Sequence, residues 1–132
     1  MNSIEKHILL VDDDPDDRDF FRNALTETRP EYRLTTIADG RDIKGVLRHI
    51  PPPNVIVIDY SMPVKSGKEL LDEIRADRKY DEIPVIILSA HNSQETINYC
   101  FANGADQYFI KPGSFGELRN IVDRICVLAA TG

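Results

Sequence analysis

The chain has 132 residues, 42% of them apolar and 29% charged, with a net charge of −6. That length suits one domain burying about two-thirds of its unfolded surface, and the acidic balance, with no basic stripe, argues against direct nucleic-acid binding. "MNSIEKHILL" lacks the basic and long apolar regions of a signal peptide, and no run nears the roughly eighteen apolar residues that cross a bilayer, so a cytoplasmic protein off the membrane is expected.

Five short apolar runs punctuate the chain. "HILLV" (7–11), "VIVI" (55–58), "VIIL" (85–88) and "YFI" (108–110) are compact, β-branched or aromatic, and suit strands buried on both faces of a parallel sheet. "YRLTTI" (32–37) alternates and mixes in polar residues, as an edge strand does. Between the runs lie segments of helical period. Phe21 and Leu25, with Phe20 beside them, face inward after the first run; Ile43, Leu47 and Ile50 follow the second. Leu70, Leu71 and Ile74 follow the third, and Ile97, Cys100 and Phe101 the fourth. Phe115, Leu118, Ile121, Val122, Ile125 and Leu128 make the last stripe.

Start signals agree with this division. Asp14 can cap a helix whose first residue is Pro15, and Asp39 can cap the second. Ser66-x-x-Glu69, Asn92-x-x-Glu95 and Ser114-x-x-Glu117 read as capping boxes. Pro30, the "PPP" at 51–53 and Gly104 are stops. Cys100 and Cys126 lie far apart inside helical patterns and read as reduced, buried thiols. His7, His49 and His91 share no ligand spacing, so no zinc site is expected.

Strand and helix thus alternate five times. Right-handed crossovers then give an α/β fold: a five-stranded parallel sheet, doubly wound, with helices on both faces. Ligands in such sheets bind outside the carboxyl ends of the strands, at the switch point. The residues following each strand therefore deserve reading together. After the first come Asp12, Asp13 and Asp14; "DDDPDD" sets five aspartates around one proline. Carboxylates a few ångströms apart repel by roughly 1 kcal/mol per pair in water and about 4 at an effective dielectric of 20. After the third strand comes Asp59, after the fourth Ser89-Ala90-His91, after the fifth Lys111-Pro112.

Each has an ordinary reading as a cap, turn former or loop lysine. Their convergence on one crevice points further. Clustered hard oxygens suit a partly hydrated Mg²⁺, which offsets the repulsion. A hydroxyl and a lysine beside a metal are donors aimed at a phosphoryl group, and an aspartate carboxylate can accept one covalently.

With "ILLVDDDP", "VIVIDYSMPVKSGKEL", "VIILSA" and "YFIKP" in this order and spacing, the chain resembles the receiver domains of two-component response regulators over essentially its whole length. The resemblance implies a flavodoxin-like (βα)5 receiver fold and Asp59 as acceptor of a phosphoryl group from a phosphohistidine. It implies Mg²⁺ held by the carboxylates of Asp13 and Asp59 and the backbone carbonyl of Ser61, with Asp12 acting through a metal-bound water. Ser89 and Lys111 are expected on the phosphoryl oxygens, Tyr108 as the aromatic that turns inward when Ser89 moves, and a cis bond between Lys111 and Pro112. Ser89 stands where threonine is commoner, Lys65 where an apolar residue is frequent, and Gly113 where a bulky one often follows the proline. The implied partners are a sensor histidine kinase or histidine phosphotransferase, and a downstream protein reading the fourth helix, fifth strand and fifth helix.

The chain ends at Gly132, soon after Lys111. A single receiver over residues 1–132 with no output domain is therefore expected, signalling through another protein and dephosphorylating itself. A signalling phosphoacceptor rather than a metabolic enzyme is expected. A haloacid-dehalogenase-type phosphatase would use Asp12-x-Asp14 but needs a longer chain. A flavodoxin-like nucleotide binder needs a Gly/Ser/Thr-rich loop where this chain has "DDDPDD". The alternative retained is a receiver-fold adaptor that signals without phosphorylation. His91, two residues after Ser89, reads either as a solvated loop residue or as a group that meets the hydrolytic water.

Overall fold

Strands buried on both faces explain why the apolar runs are continuous rather than alternating. The computed structural model describes residues 6–131. β1 (Lys6–Val11), β3 (Val55–Ile58) and β4 (Val85–Ser89) are buried at every residue but Lys6. β5 is Gln107–Ile110, and β2 (Tyr32–Ile37) is half-exposed along most of its length, as its mixed sequence predicts. All pair in parallel in the order β2-β1-β3-β4-β5, which puts β2 at an edge.

Successive side chains on each strand point to opposite faces, and two cores result. Leu9, Val11, Ile56, Ile58, Val85 and Ile87 meet α2 (Ile43–His49), α3 (Gly67–Ala76) and α4 (Gln94–Ala102). On the other face Ile8, Leu10, Val57, Ile86 and Leu88 meet α1 (Pro15–Thr28) and α5 (Phe115–Thr131). Among the described residues, no helix is long and apolar enough to cross a membrane.

Helix starts follow the capping chemistry with two displacements. Asp14 receives the Asp16 N–H, with Pro15 at the first helical position. Ser66 and Glu69 form a reciprocal capping box, and Ser114 Oγ receives the Glu117 N–H at 3.1 Å. For α2, however, Asp42 is the cap. Asp39 is instead occupied by the backbone and guanidinium of Arg41. α4 is capped by Ser93, whose Oγ receives the Thr96 N–H, not by Asn92. Two inward assignments also fail: Phe20 is 50% and Phe101 46% exposed, at the rims of their stripes. The Lys111–Pro112 bond is not cis; no described peptide bond is. Trans is the favoured isomer of an X-Pro bond by about 0.5–1 kcal/mol, and in it Lys111 still reaches the acidic cluster.

Away from the acidic end, the sheet is pinned by a set of buried hydrogen bonds. The buried His7 ring donates from Nδ1 to the Pro51 carbonyl at 2.9 Å and sets Nε2 against Thr35 Oγ1 at 2.7 Å. Asn54 and His7 exchange a side-chain and a backbone bond. This links β1, β2 and the entry to β3.

Cys100 and Cys126 are free and buried. Burial pushes their thiols up to about 11 and about 12 respectively. Because the thiolate is the reacting form, neither should react with a disulfide reagent at pH 8 on the timescale of minutes. Both should react once urea unfolds the chain, and colorimetric thiol counting checks this. Rapid labelling of native protein would refute it.

Candidate functional site

The crevice is built by strand register. Val11 pairs with Ile58, so the next residues, Asp12 and Asp59, leave the sheet side by side. The Asp59 N–H donates to the Val11 carbonyl at 3.0 Å, and the Asp12 N–H to Ile37 at 3.1 Å. Because β1 turns outward to β2 and the chain then crosses back to β3, this is the switch point of the sheet. Asp12 is 2% and Asp59 6% exposed, whereas Asp13 is open to solvent.

The loops behind both carboxylates are fixed locally. The Asp14 N–H donates to Asp12 Oδ1 at 3.0 Å, and Arg18 Nη1 to the Asp12 carbonyl at 2.8 Å. The Ser61 N–H donates to Asp59 Oδ1 at 3.2 Å. Gly67, opening α3, must be glycine for a steric reason. A Cβ there would lie 2.5 Å from Tyr60 Cα and 2.7 Å from the Asp59 carbonyl. The Gly67 N–H donates to the Tyr60 carbonyl, so α3 backs directly onto the loop carrying Asp59.

Asp12, Asp13 and Asp59 bring ligand oxygens within 4.8 Å of one another. Three hard carboxylates at this separation fit an oxygen-seeking divalent cation. Lys111 enters from β5. Its Nζ donates to Asp17 Oδ2 at 2.6 Å, Asp12 Oδ2 at 3.0 Å and Asp59 Oδ2 at 3.2 Å. Burial opposes the ammonium charge, but the Asp17 hydrogen bond and the charges of Asp12 and Asp59 outweigh it, and the Lys111 pKa is raised. Burial likewise raises the Asp12 carboxyl, against the pull of the Asp14 N–H and Lys111.

Ser89, fully buried at the end of β4, receives the His91 N–H on its Oγ at 3.2 Å, and its carbonyl receives the Lys111 N–H. Tyr108 is 9% exposed and donates its hydroxyl to the His91 carbonyl. The His91 backbone is thus held from two sides. Its ring lies 5.6 Å from that of Tyr60. Asp12, Asp13, Asp59 and Lys111 therefore meet at one point. Ser89 and Tyr108 are tied to the adjoining β4 loop, and Ser61 lies two residues after Asp59.

The sequence reading missed Asp17, the nearest partner of Lys111. It stands in the first turn of α1 beside Asp16 and just after the cap Asp14, and nothing in the sequence separates it from those two. A cleft of about 270 Å³ opens beside this pair, with Phe20, Phe21, Pro112, Phe115 and Leu118 among its walls.

Residues 8–123 match the family described as the response regulator receiver domain. The chain is 32% identical over 121 residues to the two-component response regulator ORR3 of Oryza sativa subsp. indica, covering 92% of this chain and 91% of the relative. Its fold matches that of the phosphorylated cyanobacterial phytochrome response regulator RcpA with a TM-score of 0.85. That pair is 28% identical, with 92% of this chain and 91% of the other covered. A receiver domain from a sensor histidine kinase of Pseudomonas aeruginosa, with a magnesium ion coordinated in its active-site cleft, matches at a TM-score of 0.74. It is 30% identical, with 92% and 97% covered. With its sheet order, acidic crevice and lysine already in place, the chain belongs to the receiver domains of two-component response regulators.

Proposed function

We propose that Asp59 accepts a phosphoryl group from the phosphohistidine of a sensor histidine kinase or histidine phosphotransferase. The observation that carries this reading is the meeting of three carboxylates and one ammonium at the switch point. A carboxylate oxygen of Asp59 attacks phosphorus in line. The new O–P bond forms as the P–N bond to the donor imidazole breaks, and the bonding pair leaves on the ring nitrogen. Little else is asked of the protein than position and charge. Lys111 stands 3.2 Å from Asp59 Oδ2, close enough to donate to a phosphoryl oxygen carried there. Asp12, Asp13, Asp59 and the carbonyl of Ser61 would hold Mg²⁺, which when bound supplies positive charge against the phosphoryl oxygens. Water attack on phosphorus later returns the carboxylate and inorganic phosphate.

Ser89 and Tyr108 supply the switch in this reading. A phosphoryl group accepting the Ser89 hydroxyl proton would draw Oγ away from the His91 N–H, and Tyr108 is bonded to the same His91. The equilibrium moves only by the difference in phosphate affinity between the two arrangements. α4, β5 and α5 are the surface a partner protein would read.

The test is intact mass after incubation with Mg²⁺ and acetyl phosphate. Wild type should gain one base-labile phosphoryl group, EDTA should prevent it, and Asp59→Asn should gain none. Equal modification of Asp59→Asn would sink the assignment.

A further inference from the structure

Asp17 belongs to neither the expected metal set nor the expected phosphoacceptor set, yet it makes the shortest contact to Lys111. An ammonium has three protons to donate. All three directions are taken, by Asp17, Asp12 and Asp59. A phosphoryl group on Asp59 brings new anionic oxygens to the same nitrogen, so one present acceptor must yield.

Burial decides which. The side chain of Asp12 is 3% exposed and that of Asp59 8%, whereas that of Asp17 is 35% exposed. Releasing Asp12 would strand a buried carboxylate without its cation, which is costly. Asp59 carries the phosphoryl group itself. Asp17 can be rehydrated where it stands, on the first turn of α1, where the helix terminus still favours its charge.

We propose that Asp17 is a positioning residue that competes with the phosphoryl group for Lys111 and thereby weakens the phosphorylated state. The inference rests on the phosphoacceptor reading of Asp59. Asp17 holds the ammonium in the resting site and gives it up when phosphate arrives. The phosphorylated form then carries the cost of that release, which a chain without this carboxylate does not bear.

Beryllium fluoride, a non-covalent phosphoryl mimic, tests this on the full chain in excess Mg²⁺, with affinity measured by calorimetry. Asp17→Asn should bind about two- to fivefold more tightly than wild type, the range open to a partly exposed ion pair. Asp17→Ala should do the same, which guards against a new bond from the asparagine amide. In a Lys111→Ala background the Asp17 change should have no effect. A gain that persists there would mean simple charge repulsion and overturn the competition. A second readout needs no variant: the side-chain ¹³C carboxyl resonance of Asp17 should move on saturation of wild type, and an unmoved resonance also overturns it. Wild type that neither binds the mimic nor is modified by acetyl phosphate brings down the phosphoacceptor reading as well. Wild type that does both, with Asp17→Asn indistinguishable from it, brings down the competition alone.

Discussion

Lys111→Ala should lower the unfolding free energy by about 3 kcal/mol in metal-free buffer, and Mg²⁺ should restore much of the loss. The lysine side chain is 18% exposed and faces carboxylates of which two are almost wholly buried. Removing one partner of a buried ion pair typically costs about 3–5 kcal/mol, because the other charge stays in place. Two features keep the estimate at the low end. The Asp17 contact is partly exposed and counts for little. Asp12, whose pKa burial already raises, can take up a proton when its cation is removed. A divalent cation that binds only the folded form then adds stability in proportion to the logarithm of its concentration over Kd. Urea unfolding in EDTA and in Mg²⁺ makes the comparison. An equal loss in both would show that the lysine stem mattered as packing rather than as charge.

Arg75→Ala should cost about as much, for a reason unrelated to the crevice. The guanidinium is 17% exposed and donates to the carbonyls of Gly104, Tyr80 and Ile83 and to Asp106 Oδ2, at 2.8 to 3.0 Å. Gly104, just past the C-cap of α4, has φ at 105°, a backbone conformation for which glycine is suited. Asp106 also receives the Val85 N–H, so one side chain ties α3, the 3₁₀ turn Arg78–Tyr80 and the entries to β4 and β5. Alanine leaves these acceptors facing a void. A loss of about 3 kcal/mol should lower Tm by roughly 10 °C in a chain of this size. Lysine cannot reproduce the planar fork, so Arg75→Lys should recover less than half. Arg119→Ala, which removes an exposed pair with Glu27, should stay within about 1 kcal/mol. A melting curve for Arg75→Ala that overlays wild type would refute the argument.

Much of this architecture was legible because strand burial writes itself into composition. "VIVI" and "VIIL" have no polar side, and their strands have no wet face. The placement of Asp12, Asp13, Asp59 and Lys111 followed from topology alone once five alternations were recognised. What failed was local choice among equivalent residues. "DGRD" offers two aspartates for one cap, and the Arg41 side chain settles the matter by engaging Asp39. "HNSQ" offers an asparagine and a serine, one residue apart. Phe20 and Phe101 carry the right period, but periodicity cannot locate the edge of a buried stripe. Asp17 hid among aspartates that any helix start would favour electrostatically. Only the reach of a lysine from the far end of the chain distinguishes it.

The strand order has one consequence for how the chain assembles. β1 and β2 pair first in sequence, β3 adds at the free edge of β1, β4 at β3 and β5 at β4. No strand must be threaded between two that are already paired, so the sheet can grow by edge addition as the polypeptide emerges from the ribosome, N-terminus first. The aspartates come together when β3 docks, but the lysine that faces them is the residue after β5. Every shorter nascent chain therefore carries the repulsion without its internal counterion. Electrostatic closure waits until β5 has docked, and until then a cation from solution is what can hold the half-built site together.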